Sequence, residues 1–160
     1  MSLQILARPA LTTSPRCIDM QALENPFAYM KAAALGDLSA LRALAEHSLA
    51  MLAIPTIDPV RTLHEGLIFA RLAAAAGDIG DRSRVFGMLA LAGELSEPTN
   101  PNAASDHAAE AIGLASLIAE DDPERGGEIA ANGLNLLAEL VTPEILERAK
   151  EYAAAMKEAY

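Results

Sequence analysis

Four dipeptides, each a helix-capping residue followed by proline, divide this chain of 160 residues into segments. The cap oxygen accepts one of the unpaired backbone N–H groups at a helix start. Proline suits the first helical position because it has no N–H to leave unpaired. Each pair therefore predicts where a helix begins. The four pairs are Asn25-Pro26, Asp58-Pro59, Asp122-Pro123 and Thr142-Pro143.

Two nearly identical hexapeptides, 41 positions apart, predict where helices end. They are AAALGD at residues 32–37 and AAAAGD at residues 73–78. A glycine just past a helix end commonly takes a positive φ, and we expect this of Gly36 and Gly77. The aspartate after each glycine is expected to cap the next helix. Each hexapeptide therefore predicts the turn of an antiparallel helical hairpin.

These signals predict an all-α fold of about seven antiparallel helices, arranged as stacked hairpins. Alanine has the highest helix propensity, and 34 residues are alanine. Apolar residues also recur at helical spacing, as in Leu63, Leu67, Ala70 and Ala74. A compact helical bundle is the alternative. The predicted helices are 26–35 with 38–52, 59–76 with 81–94, 103–119 with 123–140, and 143–158, with a long loop at 93–105.

The repeated hairpin resembles the tetratricopeptide and Sel1-like families of helical-hairpin repeats. The resemblance covers approximately residues 26–140, and AAALGDLSALRALAE at 32–46 also resembles the second half of an ankyrin repeat. It implies that stacked hairpins form a curved surface. A partner segment would then lie along the first helices of successive hairpins.

Residues 1–25 are predicted to form an N-terminal arm, and residues 26–160 a single helical domain. The absence of acidic residues before Asp19 also resembles an organelle-targeting segment, which is the alternative for the arm. Cys17 is the single cysteine, so the chain has no internal disulfide, as is typical of cytoplasmic proteins. No apolar run reaches the about 18 residues that cross a membrane. We expect a cytoplasmic protein without membrane contact.

Charge is unevenly distributed along the chain. Residues 1–84 carry eight basic and eight acidic side chains, whereas residues 85–147 carry twelve acidic side chains and one basic one, Arg125. Nucleic-acid binding requires Lys and Arg to displace counterions, so we expect no nucleic-acid partner. The acidic half is interpreted as a solvated surface, with a docking surface for a basic protein as the alternative.

No group of residues predicts catalysis, a metal site or a cofactor. His107 and Glu110 share a helix face, but in the reverse order to the Glu-x-x-His element of di-iron bundles. GDIGDRSR at residues 77–84 lacks the Lys-Ser/Thr ending of a phosphate-binding loop, and its arginines are expected to pair with its own acids. Asp121 and Asp122 are explained by helix capping.

The predicted function is therefore non-enzymatic binding of a protein or a peptide. The candidates to contact the partner are large residues of the first helices of the hairpins: Tyr29, Phe69 and Arg71. The alternative role, which the sequence favours, is that Tyr29 and Phe69 anchor the apolar core and that Arg71 is a surface charge. The alternatives are a helical bundle that self-associates as a homodimer, and a small-ligand binder or enzyme.

Overall fold

The computed structural model describes residues 26–158. Seven α-helices account for 82% of these residues, and none of them forms a strand, so the predicted all-α fold is confirmed. The predicted arm at residues 1–25 lies outside the described residues. The helices are α1 (Pro26–Ala34), α2 (Leu38–Met51), α3 (Pro59–Ala76), α4 (Ile79–Ser96), α5 (Pro101–Asp121), α6 (Pro123–Leu136) and α7 (Pro143–Lys157).

The prolines of all four predicted pairs begin helices, namely α1, α3, α6 and α7. Where the capping residue is described, its side-chain oxygen accepts the N–H of a residue two or three positions later. Asn25, the cap predicted for α1, lies outside the described residues. The capping contacts are Asp58 with Val60 and Arg61, Asp122 with Arg125, and Thr142 with Ile145.

A fifth cap–proline pair, Asn100-Pro101, begins α5, and its existence makes the predicted loop at 93–105 wrong. The side chain of Asn100 accepts the N–H of Ala103 at 3.1 Å. The preceding helix α4 also continues to Ser96, so only residues 97–100 separate the two helices. The stretch is rich in turn-forming residues, but its Asn-Pro pair begins a helix, as the four predicted cap–proline pairs do.

The two similar hexapeptides form turns of different geometry. Gly36 has a φ of 83°, as predicted, and its N–H donates to the Ala33 carbonyl at 2.9 Å while that of Asp37 donates to Ala32 at 3.1 Å. These two bonds form a Schellman motif that ends α1. The prediction for Gly77 is wrong, because its φ is −106°. In both turns the following aspartate caps the next helix, as expected.

The chain divides into two compact units, with the boundary between Asp81 and Arg82 inside α4. In the first unit, α2 packs against both α1 and α3. The core of this unit is built from leucines and many small side chains. Its buried residues include Leu41, Leu44, Leu63, Leu67, Ala40, Ala70 and Ala73.

In the second unit, α5 packs against both α6 and α7, and ten of its 21 residues are buried. Glycines allow close approach at both contacts. A Cβ atom added to Gly113 would lie 2.5 Å from the carbonyl oxygen of Ala149 in α7. One added to Gly126 in α6 would lie 2.2 Å from the Cα atom of Ala119 in α5. The helices of this unit are therefore held close by backbone contacts that alanine would obstruct.

Candidate functional site

The helices of the first unit share one apolar cluster. It contains Ala33 of α1, Leu41 and Leu44 of α2, and Ala73 of α3. Because α1 and α3 both turn a face toward this cluster, their opposite faces point away from the packed side chains. Those opposite faces carry exposed large apolar residues. Leu35, which follows the end of α1, is more exposed than any of them, at 83%.

We name the exposed apolar residues of these two helices the outer apolar face: Phe27 and Met30 of α1, and Ile68 and Leu72 of α3. Their exposed fractions are 79%, 47%, 57% and 53%. Phe27 and Met30 are three residues apart and Ile68 and Leu72 four apart, so each pair lies on one side of its helix. Contiguous exposed apolar patches are typical of binding surfaces, and each of these helices carries one such exposed pair.

The three residues predicted to contact a partner are less exposed than this face and are not part of it. Tyr29 and Phe69 are half-buried and pack against the apolar cluster, so each also has the anchoring role. Arg71 is half-buried on the flank of α3. Their contact with a partner stays a prediction.

Sequence reasoning missed the four more exposed residues, although a signal for them was present. The buried leucines of α3, Leu63 and Leu67, define one side of that helix, and helical spacing places Ile68 and Leu72 on the other side. Apolar residues on both sides of a helix that is not fully buried predict either a second packing surface or a binding surface.

An ion pair joins α2 to the start of α4 in the first unit. The Nε and Nη2 atoms of Arg42 donate to the two carboxylate oxygens of Asp81 at 2.8 and 2.6 Å. The N–H of Asp78 donates to the same carboxylate at 3.1 Å. The hydrogen bond to Asp81 raises the pKa of Arg42 above its ordinary value. The acids of the GDIGDRSR segment are thus engaged by a distant arginine and by helix capping.

A similar contact recurs in the second unit, where Arg82 donates to Asp121. In both contacts, an arginine in the first turns of a hairpin's second helix reaches an aspartate 39 residues later, at the turn of the next hairpin. The two arginines are 40 positions apart, and so are the two aspartates, which is close to the 41 positions between the hexapeptides.

The second unit has a concave region of about 440 Å³ beside the first turns of α5 and α7. Asp106, Glu139 and Glu144 provide carboxylates there, and Arg148 donates to Asp106. Hydrogen bonds from its own backbone N–H and from Thr142 lower the pKa of Glu144. Ser105 and Thr142 add hydroxyl groups beside these carboxylates, and no histidine or cysteine is among the described lining residues.

Within residues 26–158, no three His, Cys, Asp or Glu side chains are grouped so that they could hold a metal ion. None of the seven described helices combines the length and apolar character needed to cross a membrane. Comparison with models of protein families, with curated proteins and with solved structures finds no match to this chain. The outer apolar face is the candidate functional site because its four large apolar side chains are exposed.

Proposed function

We propose that this protein is a non-enzymatic helical-repeat module that binds another protein or a peptide. The docking surface is the outer apolar face, where an apolar, helix-forming segment of the partner lies across α1 and α3. The observation that carries the proposal is the exposure of Phe27, Met30, Ile68 and Leu72 beside a well-packed cluster.

The energetics favour such a surface. Fully burying a large apolar side chain contributes about 1.5–3 kcal/mol, so covering the exposed portions of four such residues supplies several kcal/mol. Tyr29 and Phe69 pack against the cluster on the other side of these helices, so they support the face from behind. A partner that covers the face gains most from Phe27, the most exposed of the four.

Recurrence of the hairpin supports the repeat character of the module. The hexapeptides begin 41 residues apart, and the Arg-to-Asp contacts each span 39 residues. Repeat modules commonly use a surface shared by successive hairpins to hold an extended or helical partner segment. In this chain, the outer apolar face draws on the first helices of the first two hairpins.

A photo-crosslinking amino acid at Leu72 tests the proposal. Proteins crosslinked at Leu72 should be lost when Ile68→Asp is added, because a buried charge opposes apolar docking. Both positions are exposed, so the variants should retain their helical circular dichroism. Leu146 in α7 is a matched control, since it is an exposed leucine of the second unit. Crosslinks that are equal at Leu72 and Leu146, or that survive Ile68→Asp, would contradict the docking surface.

A further inference from the structure

Beside the outer apolar face, Lys31 has a positive charge without an ion-pair partner among residues 26–158. Lys31 is exposed and follows Phe27 by four residues, so the two residues share one side of α1. On α3, by contrast, Arg61 and Glu65 compensate each other at 3.4 Å, one turn before Ile68.

Lys31 is the basic residue in the last turn of α1. A lysine in the last turn of a helix can stabilise the free carbonyl groups there. In α1 the Schellman motif already provides donors for the carbonyls of Ala32 and Ala33, from Asp37 and Gly36. The ammonium group of Lys31 is therefore available at the edge of the apolar surface.

We propose that the segment bound by the outer apolar face is an acidic amphipathic helix. Its apolar side chains cover Phe27, Met30, Ile68 and Leu72, and a carboxylate at the edge of its apolar stripe pairs with Lys31. This inference rests on the proposed function and specifies the chemistry of its partner. A basic segment would place like charges opposite each other, which is unfavourable at an interface.

Three synthetic peptides of about 18 residues, which is about five helical turns, test the inference. All three have the same leucine stripe, and the flanking positions are Glu, Gln or Lys. At low ionic strength, fluorescence anisotropy should show that the Glu peptide binds about 2- to 5-fold more tightly than the Gln peptide, as expected for an exposed ion pair. The Lys peptide should bind most weakly.

The variant Lys31→Glu should reverse the order of the Glu and Lys peptides and leave the Gln peptide unchanged. Lys150→Glu is the matched control, because it changes the net charge equally on an exposed surface of the second unit. The inference is overturned if the order persists in Lys31→Glu, or if Lys150→Glu reverses it as well.

The failure of the proposed function has a different signature. Ile68→Asp should abolish binding of all three peptides, and binding that survives this change would contradict the docking surface itself. Sedimentation equilibrium of the protein alone tests a second copy as the occupant. A dimer that Ile68→Asp dissociates, and that excludes the peptides, would overturn the acidic-helix inference.

Discussion

Arg42 and Asp81 form a two-bond ion pair between α2 and the first turn of α4, with donor–acceptor distances of 2.8 and 2.6 Å. Only 1% of the surface of Asp81 is exposed. A carboxylate removed from water is stable only where donors replace its hydration, and here Arg42 and the N–H of Asp78 supply them. This contact ties the second helix of the first hairpin to the turn of the second hairpin.

Replacing Asp81 by Asn should lower the free energy of unfolding by about 3 kcal/mol. The guanidinium of Arg42 then loses the buried carboxylate that accepts two of its hydrogen bonds, and keeps only the exposed carboxylate of Asp78 at 3.5 Å. Urea denaturation measures the change. Glu147→Gln is the control, because its exposed pair with Lys150 should contribute less than about 1 kcal/mol. The double variant Arg42→Met with Asp81→Leu should lower the free energy of unfolding less than Asp81→Asn does, because it leaves no unpaired charge. An equal decrease would contradict this account.

The backbone conformation at position 36 favours glycine, and side-chain crowding has no part in this preference. Its φ is 83°, and an added Cβ would have no atom within 4 Å. Gly36→Ala and Gly36→Val should therefore destabilise the protein by about 1–2 kcal/mol, the cost of the left-handed region for an L-residue. Gly36→Asn should cost less, because asparagine tolerates this region. Thermal melts in which Gly36→Asn is less stable than Gly36→Ala would contradict a left-handed conformation at Gly36.

Gly77 is required by a close approach and not by its φ. An added Cβ would lie 2.0 Å from a carboxylate oxygen of Asp81 and 2.6 Å from the carbonyl oxygen of Ala73. Gly77→Ala should displace the Asp81 carboxylate from Arg42 and destabilise by about 2–3 kcal/mol. The changes in the free energy of unfolding caused by Gly77→Ala and Asp81→Asn should therefore not add up in the double variant. The changes caused by Gly36→Ala and Asp81→Asn should add up. Additivity for Gly77→Ala in urea denaturation would contradict this mechanism.

The contrast between these two glycines marks how far the sequence could predict the structure. Helix starts depend on a cap and a proline that are adjacent, so they were predictable, and Asn100-Pro101 followed the same pattern. The carboxylate that closely approaches Gly77 belongs to Asp81, and it is also bound by Arg42, 39 residues away from Asp81. The residues that neighbour Gly77 in the sequence carry no information about the contact between Arg42 and Asp81.

The candidate site was predictable only in outline. Large residues of α1 and α3 were expected to reach a partner, but Tyr29 and Phe69 also pack against the core cluster. Helical spacing distinguishes the two sides of a helix, as for Ile68 and Leu67. It does not show which side the neighbouring helices cover, because that depends on how α1, α2 and α3 pack.

The cap of α2 should respond to pH through Asp37. A hydrogen bond from the Ser39 hydroxyl, and next one from the N–H of Ala40, lower the pKa of Asp37. A carboxyl whose pKa is lowered on folding stabilises the protein above its unfolded pKa of about 3.9. That contribution is lost as the pH falls through the folded pKa. Ser39→Ala should raise the pKa of Asp37 in a carbon-13 NMR titration, whereas Ser116→Ala, which removes a hydroxyl from α5, should leave it unchanged.

Two glycines of α6 should respond oppositely to alanine. A Cβ added to Gly133 would lie 1.8 Å from Cζ of Phe86, a buried ring of α4. Gly133→Ala should therefore destabilise by about 1–3 kcal/mol, the usual cost of overpacking a core. Gly127 is exposed with no atom near its added Cβ, so Gly127→Ala should stabilise α6 by up to about 1 kcal/mol. Phe86→Leu shortens the ring side chain and should reduce the cost of Gly133→Ala. Urea denaturation of these three single variants and of the double variant Phe86→Leu with Gly133→Ala measures the differences. A stabilising Gly133→Ala would mean that the Phe86 ring does not cover α6.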